Sequence, residues 1–312
     1  MLRLLELRGH QRLQLTASRP VPDLDVVRLP DGRRLEVYTS GPVDGLPLVY
    51  HHGTPGSALP ERVVERAAHG RGLRLVCASR PGYGTSDPCP GRRVVDVVED
   101  TRAVLEYVGA DRCLVLGWSG GGPHALACGA RLAGVVGVLV IAGVAPYDAD
   151  GLDWMAGMGQ DNVVEIGAAL QGEAALRSYL DQERTGMEGL TVELLIASME
   201  SVLPEVDQAV LTDEFGEDMV AGTRQALLSG VEGWLEDDLA FTVPWGFDLA
   251  EVGVATMVWQ GSEDLMVPIA HGRWLGDRLP GATVHLEDGE GHLSVAIGAL
   301  DRMLDELVAA AD

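Results

Sequence analysis

The chain has 312 residues, 46% of them hydrophobic and 22% charged, the balance of a folded protein with a sizeable core. Its 47 Asp and Glu outnumber 23 basic residues, all arginine, for a net charge of −24. Such a field repels phosphate backbones and anionic lipid, so neither a nucleic-acid nor a membrane partner is expected. The longest apolar stretch, Val135 to Ala145, is broken by glycines and too short to span a bilayer. The run Met1 to Arg8 is charged too often for the apolar core of a signal peptide, so a cytoplasmic location is the expectation. Cys77, Cys89, Cys113 and Cys128 show no C-x-x-C spacing, which favours core packing over a disulfide framework or a zinc site.

Residues 1–25 carry no clear motif and suit an irregular or helical arm. Val26–Leu29 and Leu35–Thr39 flank Asp31-Gly32 and predict a hairpin. Strand-like runs Leu48–His51, Leu73–Ala78, Arg112–Leu116 and Val136–Ile141 then alternate with helical stretches at 58–70, 94–109 and 120–132. Strand alternating with helix implies a mainly parallel sheet with helices on both faces.

After Gly143 the apolar strand runs stop. Helix-like segments follow at Val163–Ala169, Ala174–Thr185, Val192–Leu203 and Asp218–Ser229, bracketed by Pro146 and Pro244. Strand patterns resume at Ala255–Trp259 and Ala282–Leu286, and a last helix is expected over Leu293–Ala310. The expected division is an α/β core over residues 1–145 and 241–312 with a helical cap at 146–240. That cap holds 21 Asp and Glu against 3 Arg, a net of −18. A solvated, solubilising face is the plain reading of this excess. Attraction of a cationic substrate is the sharper one.

Gly117-Trp118-Ser119-Gly120-Gly121 follows the strand run at 112–116 and opens a small-residue helix with Pro123 in its first turn. Strand, tight turn and helix is the setting in which G-x-S-x-G lifts a serine hydroxyl above a sheet. A serine needs a base, and His292, in Gly289-Glu290-Gly291-His292, is the candidate. An acid must orient that imidazole. Asp264 follows the 255–259 strand run and is the first choice, although it could instead cap the helix near Pro268. Asp148, just after the 136–141 run, is the rival.

In these motifs the chain resembles the α/β-hydrolase superfamily. Ser119, then Asp264, then His292 is its chain order. Tyr50-His51-His52-Gly53-Thr54-Pro55-Gly56 is similar to its His-Gly-x-Pro-Gly oxyanion loop, and Arg80-Pro81-Gly82-Tyr83-Gly84-Thr85-Ser86 to its Arg-Pro-Gly-x-Gly-x-Ser turn. The resemblance covers roughly residues 26–145 and 245–312. It implies an eight-stranded, mainly parallel sheet, an oxyanion hole made by the backbone N–H groups of Thr54 and Gly120, and a bracing role for His52. His124, on the nucleophile helix, reads as structural. Relatives that open epoxides or remove halides carry aspartate where Ser119 stands, so acyl transfer is implied here.

A substrate pocket drawing on Trp118, Trp154, Met155 and Met158, and a small-molecule substrate with an apolar moiety, are expected. No metal-ligand spacing appears, and no cofactor is expected. The resemblance favours a carboxylic-ester or lactone hydrolase. Proline-iminopeptidase-like members share the oxyanion loop but carry tryptophan after the serine, where this chain has Gly120. Some members are ligand receptors. Oligomeric state is open.

Overall fold

A computed structural model describes residues 22–187 and 189–311. Most of the arm expected at 1–25 therefore lies outside the described residues. β1 (Asp25–Arg28) and β2 (Arg34–Ser40) form the expected antiparallel hairpin, with Gly32 at φ +93° in its turn. From β3 (Pro47–His51) onward the chain alternates: α1 (Arg62–His69), β4 (Arg74–Ala78), α2 (Val97–Val108), β5 (Cys113–Trp118), α3 (Gly121–Arg131) and β6 (Val135–Ile141). Six helices follow before the sheet resumes: α4 (Gln160–Gln171), α5 (Glu173–Gly186), α6 (Val192–Ser198), α7 (Glu205–Val210), α8 (Asp213–Ala226) and α9 (Glu232–Phe241). The chain closes with β7 (Thr256–Gly261), α10 (Ile269–Arg278), β8 (Thr283–Glu287) and α11 (Ser294–Ala311). The eight strands make one sheet in the order β1-β2-β4-β3-β5-β6-β7-β8, parallel from β4 to β8. This is the fold class expected from the sequence. Among the described residues no helix is long and apolar enough to cross a membrane.

Side-chain alternation explains why the central strands read as unbroken apolar runs. Leu48, Tyr50, Leu114, Leu116, Leu139 and Ile141 pack on one face with Val64 of α1 and Met303, Leu304 and Leu307 of α11. Val49, Val115, Val138, Val140 and Val258 pack on the other with Val98 of α2 and Leu126 of α3. A strand covered by helices on both sides has no polar alternate positions. Cys77, Cys113 and Cys128 are buried among these residues and all four cysteines are unpaired.

The insertion departs from expectation in two places. The helix expected over Val192–Leu203 ends at Ser198, and a separate short α7 starts after Pro204. α9 was not expected at all. Its polar residues do not mark an outer face: Gly233, Trp234, Leu235, Glu236, Asp237, Asp238, Ala240 and Phe241 are all buried. A helix enclosed on most sides loses the periodicity by which it would be recognised.

Gly233 of α9 lies flat on the Tyr83 ring, so that a Cβ there would overlap it. Gly167 of α4 has open space around its Cβ position. Gly233→Ala is expected to destabilise the fold by about 1–3 kcal/mol through overpacking. Gly167→Ala is expected to be neutral or to stabilise by up to about 1 kcal/mol. Thermal unfolding of both variants beside the parent checks the pair, and equal midpoints for the two would contradict the packing of α9.

Candidate functional site

β5 delivers the chain into Ser119, whose φ of +56° is left-handed. A non-glycine residue held there costs of order 1–3 kcal/mol, so its surroundings must impose the turn. They do so by close approach. A Cβ at Gly121 would overlap the His51 carbonyl oxygen, and one at Gly117 the Gly121 carbonyl oxygen. The Ser119 N–H donates to Ile141 O at 2.8 Å, tying the turn to β6. Gly120 packs so tightly against Thr54 that a Cβ would overlap its hydroxyl. The two expected oxyanion-hole residues are therefore neighbours.

His292 lies in the loop before α11, and its Nδ1 is 2.8 Å from Asp264 Oδ2. Asp264 also accepts the N–H groups of Met266 and Val267 on Oδ1, each at 2.8 Å, and the Gln260 amide on Oδ2 at 2.8 Å. It thus fixes its own loop and the histidine together. Asp148 is exposed and has no hydrogen bond to His292 among the described residues. Burial opposes charge on His292. The Asp264 carboxylate overcomes this, with help from Asp207, and the imidazole pKa is raised above its ordinary value.

Asp207, on α7 of the insertion, is fully buried beneath the histidine loop. It accepts the N–H of His292 on Oδ2 at 2.8 Å, and those of Leu293 and Ser294 on Oδ1 at 2.9 Å each. A carboxylate here satisfies the unpaired donors at the start of α11 from outside the helix. Sequence reasoning missed it, because its partners lie more than 80 positions away and no local pattern marks it.

The loop over residues 52–56 is held in a similar way. Arg80 donates to His52 O at 2.6 Å and Gly53 O at 2.9 Å, and pairs with Asp237 of α9 at 2.6 Å. Asp237 also accepts from Arg92 at 2.6 Å, Thr54 Oγ1 at 2.8 Å and the Tyr83 hydroxyl at 2.9 Å. Burial would raise its pKa, but Arg80 and Arg92 hold it well below the usual carboxylate range. His52 accepts the Arg80 N–H at Nε2 (3.2 Å), so its Nδ1 carries the proton and donates to Gly53 O at 2.7 Å. Burial pushes the pKa of His52 and His124 well below the ordinary value and that of His51 down to about 3. These three imidazoles are neutral near pH 7.

Ser119, Gly120, Thr54 and His292 line one cavity of about 230 Å³ between sheet and insertion. Trp118, Trp154 and Met158 line it too. Met155 does not. It packs against the core cluster around Trp154 and Val144, so it is not a pocket residue. The acidic stretch divides: Asp148, Asp150, Asp153, Glu173, Asp181, Glu193, Glu200, Glu205 and Asp213 are exposed, as a solvated face requires, and others turn inward. Asp207, Asp218, Glu236, Asp237 and Asp238 are buried, and Asp161, Glu165, Glu183 and Asp238 line the cavity. Among the described residues no group of three His, Cys, Asp or Glu is arranged to hold a metal ion.

The model of the alpha/beta hydrolase family matches residues 48–310. A non-heme chloroperoxidase of Streptomyces lividans is 26% identical over 252 residues, covering 79% of this chain and 84% of that protein. A bromoperoxidase from Bacillus anthracis superposes with a TM-score of 0.67 at 20% identity, over 93% of this chain and all of the other. An esterase from Rhodococcus sp. ECU1013 gives 0.62 at 19% identity, over 93% and 99% of the two chains. With eight strands in this order and a family match over most of its length, the chain belongs to the alpha/beta hydrolase family.

Asp207 supplies a testable link between insertion and histidine. If His292 must be neutral to act, kcat/KM falls on the acid side with an apparent pKa above about 6.5, the ordinary histidine value. Asp207→Asn removes a negative charge that favours the imidazolium, so this limb should move to lower pH. A pH–rate profile of parent and variant checks it, and a limb that stays put or moves up contradicts the assignment.

Proposed function

We propose that the protein is a serine hydrolase that cleaves a carboxylic ester or lactone through an acyl-enzyme on Ser119. The observation that carries this reading is the 2.8 Å contact between His292 Nδ1 and Asp264 Oδ2, at a cavity whose wall also holds Ser119 on a left-handed turn. His292 takes the hydroxyl proton as Ser119 attacks the acyl carbon, then returns it to the leaving alcohol. Asp264 holds the imidazole by Nδ1, leaving Nε2 for the serine. The N–H groups of Gly120 and Thr54 receive the oxyanion, a donor of this kind contributing about 2.7–4 kcal/mol. Water then attacks the acyl-enzyme with His292 again as base. Trp118, Met158, Met199, Met219 and Phe241 on the cavity wall suit an apolar acyl or alcohol group, and methionine adapts to irregular shapes.

A second reading has the chloroperoxidase relative in its favour. Peroxide would take the place of water in releasing the acyl group, so the same three residues would be required. Halide oxidation dependent on both peroxide and a carboxylic acid, lost in Ser119→Ala, would support it.

Ser119→Ala should abolish covalent labelling by a fluorophosphonate with the fold intact by circular dichroism. Asp264→Asn should lower kcat on a short-chain ester by roughly 10⁴-fold, the scale of losing an orienting carboxylate. Labelling that persists without Ser119, or a near-parental Asp264→Asn enzyme, overturns the assignment.

A further inference from the structure

Six carboxyl side chains line the cavity that holds Ser119, and no arginine does. Two of the six are engaged: Glu61 accepts the Tyr50 hydroxyl, and Asp218 pairs with Arg62. The other four, Asp161 and Glu165 on α4, Glu183 on α5 and Asp238 on α9, have no arginine partner among the described residues. Asp238 is 2% exposed, and its Oδ2 is buried without a donor. The Glu165 carboxyl lies within hydrogen-bond reach of Asp238, and Trp234 Nε1 donates to Glu165 at 2.8 Å.

We propose that Asp161, Glu165, Glu183 and Asp238 form a subsite for an organic ammonium group on the substrate. This names a substrate class for the hydrolase reading and rests on it for the reaction, though not for the binding. Two ionised carboxylates in contact repel unless a shared proton or a cation stands between them. Burial, and then each other's charge, raises the pKa of Asp238 well above the carboxylate range, and burial raises that of Glu165, so the empty pair shares a proton. The groups facing the pair are Asp161, Glu183 and Tyr179, with Asp237 and Arg92 behind Asp238 and already paired to one another. Nothing there competes with an incoming cation. An ammonium offers three donors to carboxyl oxygens and displaces the shared proton. The Tyr179 and Trp234 rings in the same wall suit its charge and its alkyl stem. The four groups do not converge as metal ligands do.

The first test is binding alone. 3-Phenylpropylammonium and its neutral counterpart 3-phenylpropan-1-ol are titrated calorimetrically into the parent protein, where the ammonium should bind at least ~10-fold more tightly. Its heat should also vary with buffer ionisation enthalpy, reporting the released proton. The preference should collapse in Glu165→Gln/Asp238→Asn. Asp161→Asn/Glu183→Gln, at half-buried positions, should weaken it too, and keeps the idea testable should the buried double variant fail to fold. The second test is turnover of an ω-amino ester against its N-acetyl form, the gain expected in KM rather than kcat. Equal binding of amine and alcohol, or a preference that survives either double variant, overturns the subsite. Fluorophosphonate labelling of Ser119 without amine preference would leave the hydrolase standing and remove the subsite. Amine binding without labelling would do the reverse.

Discussion

The buried Asp237 carboxylate is the interaction on which the geometry of the site depends. Asp237 sits on α9, yet it pairs with both Arg80 and Arg92 of the core, and Arg80 in turn grips the carbonyls of His52 and Gly53. Three charges buried together are costly to desolvate, and removing one partner of such a set typically costs about 3–5 kcal/mol because the others are stranded. Helix α9, the Arg80 turn and the loop over residues 52–54 are therefore tied together. Thr54 joins it through its own hydroxyl, which leaves the backbone of that residue fixed beside Gly120.

The same logic operates wherever the insertion meets the core. Asp207 holds the histidine loop, and Asp218 accepts both the backbone N–H and the guanidinium of Arg62 at the start of α1. Trp118 at the end of β5 stacks on Phe215 of α8 with ring planes 9° apart. All of these contacts join the helices between β6 and β7 to the rest of the chain. A rigid swing of the insertion would strand the buried carboxylates of Asp207 and Asp218 and break the Trp118–Phe215 stack. Access to the cavity is thus easier by local rearrangement than by lifting the whole insertion.

Protonation is sorted by the same environment. His51, His52, His124 and His271 are buried, desolvation together with the Arg80 charge beside the first three outweighs the nearby carboxylates, and all have lowered pKa values. His292 is equally buried but faces Asp264 and Asp207, and its pKa is raised. Burial is common to all five, so the placement of two carboxylates distinguishes one imidazole from the other four.

The sequence by itself determined what local pattern encodes. The strand runs at 48–51, 112–116 and 136–141, the glycines around Ser119 and the loops carrying Asp264 and His292 were legible because strand periodicity and turn chemistry act over a few residues. Asp264 is preferred to Asp148 from its place after a strand run, but its contact with His292 was not legible. That 2.8 Å contact is one that only the folded sheet edge provides. Nor was the fate of the acidic stretch legible, since an aspartate reads alike whether water or an arginine lies opposite. Asp207 and Asp237 find their partners 85 to 183 positions away and Asp238 lies in the cavity wall, and α9 hides its helical period by being buried on most sides. Met155 and Trp154 are adjacent in sequence, yet only one reaches the cavity, because their side chains leave the backbone in different directions. Tertiary structure decided these points because charge burial depends on long-range neighbours, and a single chain position carries no record of them.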